Sequence, residues 1–136
     1  MTDSWNRSHR RHRLVHAVLE DIARTGRPEI ASRFRAGLET EFGDLGGFLR
    51  DVRRRWYRAF DARLDAVLEQ DPDDLTGAVA EVRRVVDEVM PAARLLLDAH
   101  TEHPALEELD EHHRRTLLAA TGLTMQGRRH DRDIPA

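Results

Sequence analysis

Four side chains able to bind a metal ion recur at helical spacing near the start of the chain. His9, His12, His16 and Glu20 follow one another three or four residues apart. On a helix this spacing brings them to one face, and imidazole and carboxylate groups in such positions bind zinc or iron in helical bundles. The same stripe also fits an ordinary solvated surface, because it lies opposite the apolar side chains of the same segment.

A second group of histidines lies between residues 99 and 113, where four of the chain's eight histidines occur among five acidic residues. On a helix over 104–121, His113 falls in the middle of the apolar face and His112 on its flank. We expect His113 to be a buried, hydrogen-bonded core residue. The alternative is a metal site that joins both groups, with the candidate ligands His9, His12, His16, Glu20, His112 and His113.

Arginine supplies a third set of candidate residues. The two densest basic segments are 6–13 and 50–58. In the second segment, Arg50, Arg54 and Arg58 recur every four residues on the outer face of a predicted long helix, which gives a ridge about 12 Å long. Such a ridge favours nucleic-acid phosphates or a partner protein. The candidate binding residues are Arg7, Arg10, Arg11, Arg13, Arg50, Arg54 and Arg58.

Signatures of catalysis are scarce. The chain has no cysteine and no lysine, which excludes thiolate and lysine nucleophiles. None of its three serines lies in a Gly-x-Ser-x-Gly pattern, and the glycine-rich segment 43–47 lacks the lysine of a phosphate-binding loop. We therefore predict no catalytic residue and no cofactor, with a metal ion as the alternative, and interpret the chain as non-enzymatic.

The composition is typical of one soluble domain. The chain has 136 residues, of which 40% are hydrophobic and 35% charged. All 22 basic residues are arginine, a bias that indicates GC-rich coding of the kind common in some bacteria. The basic N-terminus is followed by charged residues where a signal peptide needs an apolar run, and no segment is apolar enough to span a bilayer. We expect a cytoplasmic protein that does not bind membranes.

Positive and negative charges are divided unequally along the chain. Residues 1–63 carry 14 arginines and 9 acidic residues, whereas residues 64–136 carry 8 arginines and 16 acidic residues. The asymmetry favours packing of the two halves against each other or against a second subunit, with a basic face for an acidic partner as the other interpretation.

Helical periodicity runs through most of the sequence, and no segment alternates as a strand does. The predicted helices cover residues 8–24, 28–42, 47–70, 72–89, 91–99 and 104–121. Six of the seven aromatic residues lie between Phe34 and Phe60, so the second and third helices should form the centre of the core. We predict one all-α domain over 1–122, a bundle of five to six helices with one long central helix over about 47–70. Residues 123–136 have no period and are predicted as a flexible tail.

These observations favour a small non-enzymatic helical protein that acts through protein–protein interaction. Regulation of a partner protein is one function that this interpretation allows. The expected partner is a second copy in a homodimer, or another protein. Two alternatives remain open: nucleic-acid binding by the arginine-rich N-terminal half, and metal binding by the His/Glu site.

Overall fold

The computed structural model describes residues 2–122, which form six α-helices and one short 3-10 helix. The α-helices are α1 (Asp3–Thr25), α2 (Arg35–Phe42), α3 (Leu45–Leu68), α4 (Leu75–Val89), α5 (Pro91–Ala99) and α6 (Pro104–Thr121), and the 3-10 helix is Ser32–Phe34. This part of the chain contains no strand, so the predicted all-α bundle is confirmed. None of its helices is both long and apolar enough to cross a membrane. The tail predicted over 123–136 lies outside the described residues.

The central helix of the bundle is α3, as predicted, although it begins and ends two residues earlier than expected. The prediction that the second helix shares this central position is wrong, because α2 buries Leu38 alone. It packs against α2, α4, α5 and α6, and its side chains Phe48, Leu49 and Phe60 are fully buried. The helix begins at Leu45 because the side chain of Asp44 accepts a hydrogen bond from the amide of Gly47 at 2.8 Å.

The last helix, α6, lies beside α3 and runs in the same direction. The start of α6 approaches the start of α3 so closely that a Cβ added at Gly46 would lie 2.9 Å from the Cβ of Ala105. Further along, Asp110 bonds to Arg53 and His113 to Asp61. The absence of a side chain at residue 46 therefore lets the two helices meet and sets which residues face each other.

The predicted start of the second helix is wrong. We expected a helix over 28–42, but the 3-10 helix begins only at Ser32 and α2 only at Arg35. Ala31 has extended backbone angles, φ −59° and ψ 142°. The apolar spacing misled the prediction because Ile30 packs against the core from this non-helical segment.

The predicted start of the fourth helix is also wrong by three residues. Asp71 does not cap a helix beginning at Pro72; it lies in the left-handed region with φ 50°. Instead, Asp74 is the capping residue and accepts a hydrogen bond from the amide of Gly77 at 2.9 Å. Several aspartates in this segment could cap a helix, so local sequence alone does not single out Asp74.

The first helix is longer than predicted, because Thr2 caps it and accepts a hydrogen bond from the Trp5 amide at 3.2 Å. Near its end, the buried carboxylate of Asp21 binds Arg33 at 2.8 Å and Arg24 at 2.5 Å. The hydrogen bonds from Arg33 and then Arg24 hold the pKa of Asp21 below its usual value. This pair of contacts ties the 3-10 helix to α1.

Candidate functional site

An open groove runs between α3 and α6 along the outer side of the bundle. One part has a volume of about 490 Å³ and the adjoining part about 250 Å³. Both parts share Arg54, Leu109 and His112, so they form one continuous depression, which we call the α3–α6 groove. Pro104 and Ala105 form its apolar end, and Thr116 lies at the other end.

Four arginines line the α3–α6 groove: Arg50, Arg54 and Arg58 from α3, and Arg115 from α6. Within residues 2–122, none of the four has a hydrogen-bond or ion-pair partner. Arg50 is half-buried and the other three are exposed. A guanidinium group presents a planar set of donors that matches carboxylate or phosphate oxygens. The groove is therefore equipped to bind an anionic group.

Two carboxylates also lie in the α3–α6 groove, and one of them is already engaged. Asp61 accepts a hydrogen bond from the buried His113, whose Nε2 lies 3.0 Å from Oδ1. Glu108 is exposed and has no partner among the described residues. Four guanidinium groups thus face two carboxylates, and the groove keeps a net positive charge.

Arg50, Arg54 and Arg58 were predicted from their spacing, whereas Arg115 was not predicted. Arg115 follows His112 by three residues, so the two share one flank of α6. Helical spacing had placed His112 on that flank, and the same spacing could have predicted that Arg115 lies beside it.

A half-buried polar cluster lies between α3 and α6 and fastens the two helices together. The Nε of Arg53 donates to Oδ1 of Asp110 at 2.9 Å, and the hydroxyl of Tyr57 donates a short hydrogen bond to the same oxygen. The Arg53 guanidinium also lies 5.3 Å from the ring centroid of Trp56 and 4.8 Å from that of Tyr57. These contacts satisfy the charges of Arg53 and Asp110, so the cluster is structural.

The environment of Tyr57 favours the neutral phenol. Burial raises the pKa of Tyr57 above its usual value; the positive charge of Arg53 opposes this shift, and the hydrogen bond to Asp110 adds to it. The phenol therefore remains a hydrogen-bond donor over the whole ordinary pH range.

The prediction for His113 is confirmed: its side chain is buried and hydrogen-bonded, with 6% of its surface exposed. Its ring stacks on Tyr57 with 3.8 Å between centroids and meets Phe60 edge-on. His112, the next residue, is exposed in the groove. The two histidines therefore have different surroundings and different roles.

The basic segment of α1 does not join the groove, because no α1 residue lines it. Arg10 and Arg11 are both held by Glu41 of α2, through Oε2 at 3.1 Å and the backbone carbonyl at 2.7 Å. Arg7 and Arg13 are exposed and have no partner among residues 2–122. Half of this predicted binding set thus fixes α2 to α1.

The histidines of α1 do not converge with those of α6. His9 stacks on Trp5, and Nδ1 of His12 lies 3.0 Å from the guanidinium of Arg55. His16 and Glu20 form an exposed pair at 3.5 Å. Across residues 2–122, no group of three or more histidine and acidic side chains is placed to hold a metal ion. The metal hypothesis gains no support from this arrangement.

Few ion pairs join the positively charged first half of the chain to its negatively charged second half. Among the described residues, only Arg53 with Asp110 and His113 with Asp61 join the first 63 residues to the rest; the other ion pairs lie within one half. The two halves do pack against each other, since α1 contacts α5 and α3 contacts α6, but few of their charges pair across this contact. Arginines without an ion-pair partner among the described residues remain on the α3–α6 groove.

Comparison of the chain with protein-family models, with curated proteins and with solved structures gives no match.

Proposed function

We propose that this protein is a non-enzymatic binding protein that takes an acidic segment of a partner protein into the α3–α6 groove. One observation carries the proposal: Arg50, Arg54, Arg58 and Arg115 line one groove and form no hydrogen bond or ion pair through their side chains within residues 2–122. Arginines that stabilise the fold, such as Arg53, are paired. Unpaired arginines gathered along one groove are suited to contacts with another molecule.

The lining of the groove favours a peptide chain over a simple anion. Apolar surface from Leu109, Pro104 and Ala105 lies beside the guanidinium groups. A segment that alternates acidic and aliphatic side chains would pair with the arginines and cover this apolar surface at the same time. Burial of both kinds of surface gives more affinity than exposed ion pairs alone.

Nucleic acid fits the same groove less well. The free arginines of α3 cover only about 12 Å of helix, and the N-terminal arginines that could extend this track are partly used by Glu41. Single-strand binding also relies on aromatic platforms, but Trp56 and Tyr57 are 2% and 8% exposed. The chain carries a net charge of −3, which opposes a polyanion at long range.

A matched pair of variants tests the proposal. The groove variant replaces Arg50, Arg54 and Arg58 with Gln. The control variant replaces Arg7, Arg13 and Arg27 with Gln; these arginines lie outside the groove, are exposed, and have no side-chain partner within residues 2–122. Both variants lose the same charge. The probe is a short fluorescent peptide of glutamate and leucine, and its affinity is measured by anisotropy over a series of salt concentrations.

We expect the groove variant to bind the peptide about tenfold more weakly than the control variant, because three exposed ion pairs contribute about 0.5 kcal/mol each. Equal weakening in both variants would overturn the proposal, since net charge alone would then explain binding. Tighter binding of an oligothymidylate of the same charge as the peptide would also overturn it, in favour of nucleic acid.

The homodimer and the cytoplasmic location remain predictions. Large exposed apolar side chains on the described helices include Trp5, Val89 and Leu118, which are 52%, 60% and 48% exposed. Light scattering over a range of concentrations measures the oligomeric state, and a dimer would leave the proposed groove function intact provided that peptide binding persists in it.

A further inference from the structure

A second, larger pocket lies on another part of the bundle and has a volume of about 920 Å³. It is enclosed by the non-helical segment after α1, by α2, by the start of α3 and by the end of α5. Its apolar lining is formed by Pro28, Ile30, Ala31, Leu38, Leu45 and Ala99. A concave apolar surface of this size, with a few polar groups around it, is typical of a small-molecule site.

The charged groups of this pocket have an excess of hydrogen-bond acceptors. Three carboxylates line it, from Glu29, Glu39 and Asp44, against one guanidinium, from Arg35. Within the described residues, the side chains of Glu29, Glu39 and Arg35 have no partner, while Asp44 caps α3 through one oxygen. Three carboxylates against one guanidinium leave the lining of the pocket with a net negative charge.

His100 adds another acceptor to the pocket. Its Nδ1 lies 2.9 Å from the backbone carbonyl of Leu96. Because a carbonyl only accepts hydrogen bonds, Nδ1 must carry the proton, and in the neutral imidazole Nε2 is then a free acceptor. His100 is a lining residue of the pocket, and Nε2 of its neutral ring can accept a hydrogen bond from an N–H donor.

The C-terminal ends of two helices lie at the pocket. α2 ends at Phe42 with Gly43 as its C-cap, α5 ends at Ala99, and both Gly43 and Ala99 line the pocket. The C-terminal end of a helix carries a partial negative charge and favours a cation. The start of α3 has the opposite sign, but Asp44 already caps it.

The wall formed by residues 28–31 offers backbone groups as well. The amide and carbonyl of Glu29 and Ile30 form no hydrogen bond within residues 2–122. Extended backbone of this kind can bond to a ligand without disturbing a helix. The apolar lining, the acceptor excess and this free backbone all belong to one concave surface.

We infer that this pocket binds a small organic cation, an ammonium group carried on an apolar body. The ammonium is held by Glu39, Glu29 and Nε2 of His100, and the apolar body packs against Leu38, Ile30 and Leu45. This site is independent of the α3–α6 groove, which is lined by arginines and takes anionic groups.

Three probes with one apolar chain and different head groups test the inference: hexylamine, hexanol and hexanoate. Binding is measured at neutral pH by NMR titration of the full chain, with the methyl groups of Leu38, Leu45 and Ala99 as reporters. We expect hexylamine to bind about tenfold or more tightly than hexanol, and hexanoate to bind most weakly, because ionic hydrogen bonds exceed neutral ones in strength.

Two variants and one control locate the site. Glu39→Gln should weaken hexylamine binding about fivefold and leave hexanol binding unchanged, because it removes charge and keeps shape. Ala31→Leu should weaken the binding of both hexylamine and hexanol, because the larger side chain fills the pocket. Glu69→Gln, at the opposite end of α3, should change neither.

Equal binding of hexylamine and hexanol would overturn the inference. So would an unchanged hexylamine affinity in Glu39→Gln, or the absence of shifts at the three reporter residues with every probe.

Discussion

Arg53 and Arg54 are adjacent in sequence and lie on the same helix, but their surroundings are opposite. Arg53 points between α3 and α6, where Asp110 and Tyr57 bind it and 20% of its side chain stays exposed. Arg54 is exposed in the α3–α6 groove and has no partner within the described residues. A rotation of about 100° along the helix separates a structural arginine from one free to bind another molecule.

The comparison extends to the residues around each arginine. Arg53, Tyr57, Asp110 and His113 form a closed side of the α3–α6 contact, in which each polar group has a partner. Arg50, Arg58 and Arg115 form the open side with Arg54. The closed side should determine stability and the open side should determine binding, and variants on the two sides test this division.

The largest expected effect on stability comes from Asp110. Replacing it with Ala leaves Arg53 and Tyr57 without their acceptor, so Asp110→Ala should lower the free energy of unfolding by about 3 kcal/mol. The matched control is Glu108→Ala, two residues earlier and exposed in the groove, which should change stability by less than about 0.5 kcal/mol. Urea denaturation measures both, and equal losses would remove the distinction between the two sides.

His113 and His112 give the next largest contrast. His113→Ala removes a buried ring that stacks on Tyr57 and meets Phe60, and should cost about 2 kcal/mol of stability. His112→Ala should cost less than about 0.5 kcal/mol. A larger loss for His112 than for His113 in urea denaturation would contradict the assigned positions.

Tyr57 makes the closed side sensitive to alkaline pH. Because burial raises its pKa in the folded protein, the folded state retains a proton that the unfolded chain releases above about pH 10. The contribution of Tyr57 to the free energy of unfolding is fully present below that pH. Above it, the free energy of unfolding falls by up to about 1.4 kcal/mol per pH unit.

The chain is well suited to this measurement, since it has one tyrosine and no lysine. Phenolate absorbance of the folded protein should rise only well above about pH 10, and Tyr57→Phe should lose the alkaline decline in stability. Ionisation of the Tyr57 phenol in the folded protein at the ordinary pKa of tyrosine would contradict the burial of this side chain.

The smallest effects on stability belong to the open side. Arg54→Gln should change the free energy of unfolding by less than about 0.5 kcal/mol, because the side chain is exposed and has no partner among residues 2–122. Arg53→Gln, one residue earlier, should cost about 2 kcal/mol because it leaves the Asp110 carboxylate without its cation. Thermal and urea denaturation of the two variants compare neighbouring arginines directly.

The sequence predicted the elements that depend on local pattern. Apolar periodicity predicted the helices, the concentration of aromatic residues predicted the central position of α3, and the position of His113 on an apolar stripe predicted its burial. The outer ridge of Arg50, Arg54 and Arg58 followed from spacing of four residues. Each of these features depends on one helix alone.

The features that the sequence did not predict depend on two or more elements. The pairing of Arg53 with Asp110 requires the parallel register of α3 and α6, which the close approach at Gly46 sets. The second pocket requires the extended backbone of residues 28–31, where apolar spacing suggested a helix. One sequence contains no direct signal for either arrangement, because both arise from tertiary packing.

The most direct test of the central claim is a proton–nitrogen NMR spectrum of the arginine Nε–H groups. The Nε–H of Arg53 is bonded to a carboxylate and should exchange slowly with water, whereas those of Arg50, Arg54 and Arg58 should exchange rapidly. Adding the glutamate–leucine peptide should slow exchange and shift the signals of these three arginines, and leave that of Arg53 in place. Slow exchange at Arg54 in the free protein, or a peptide-induced shift confined to Arg53, would contradict the account.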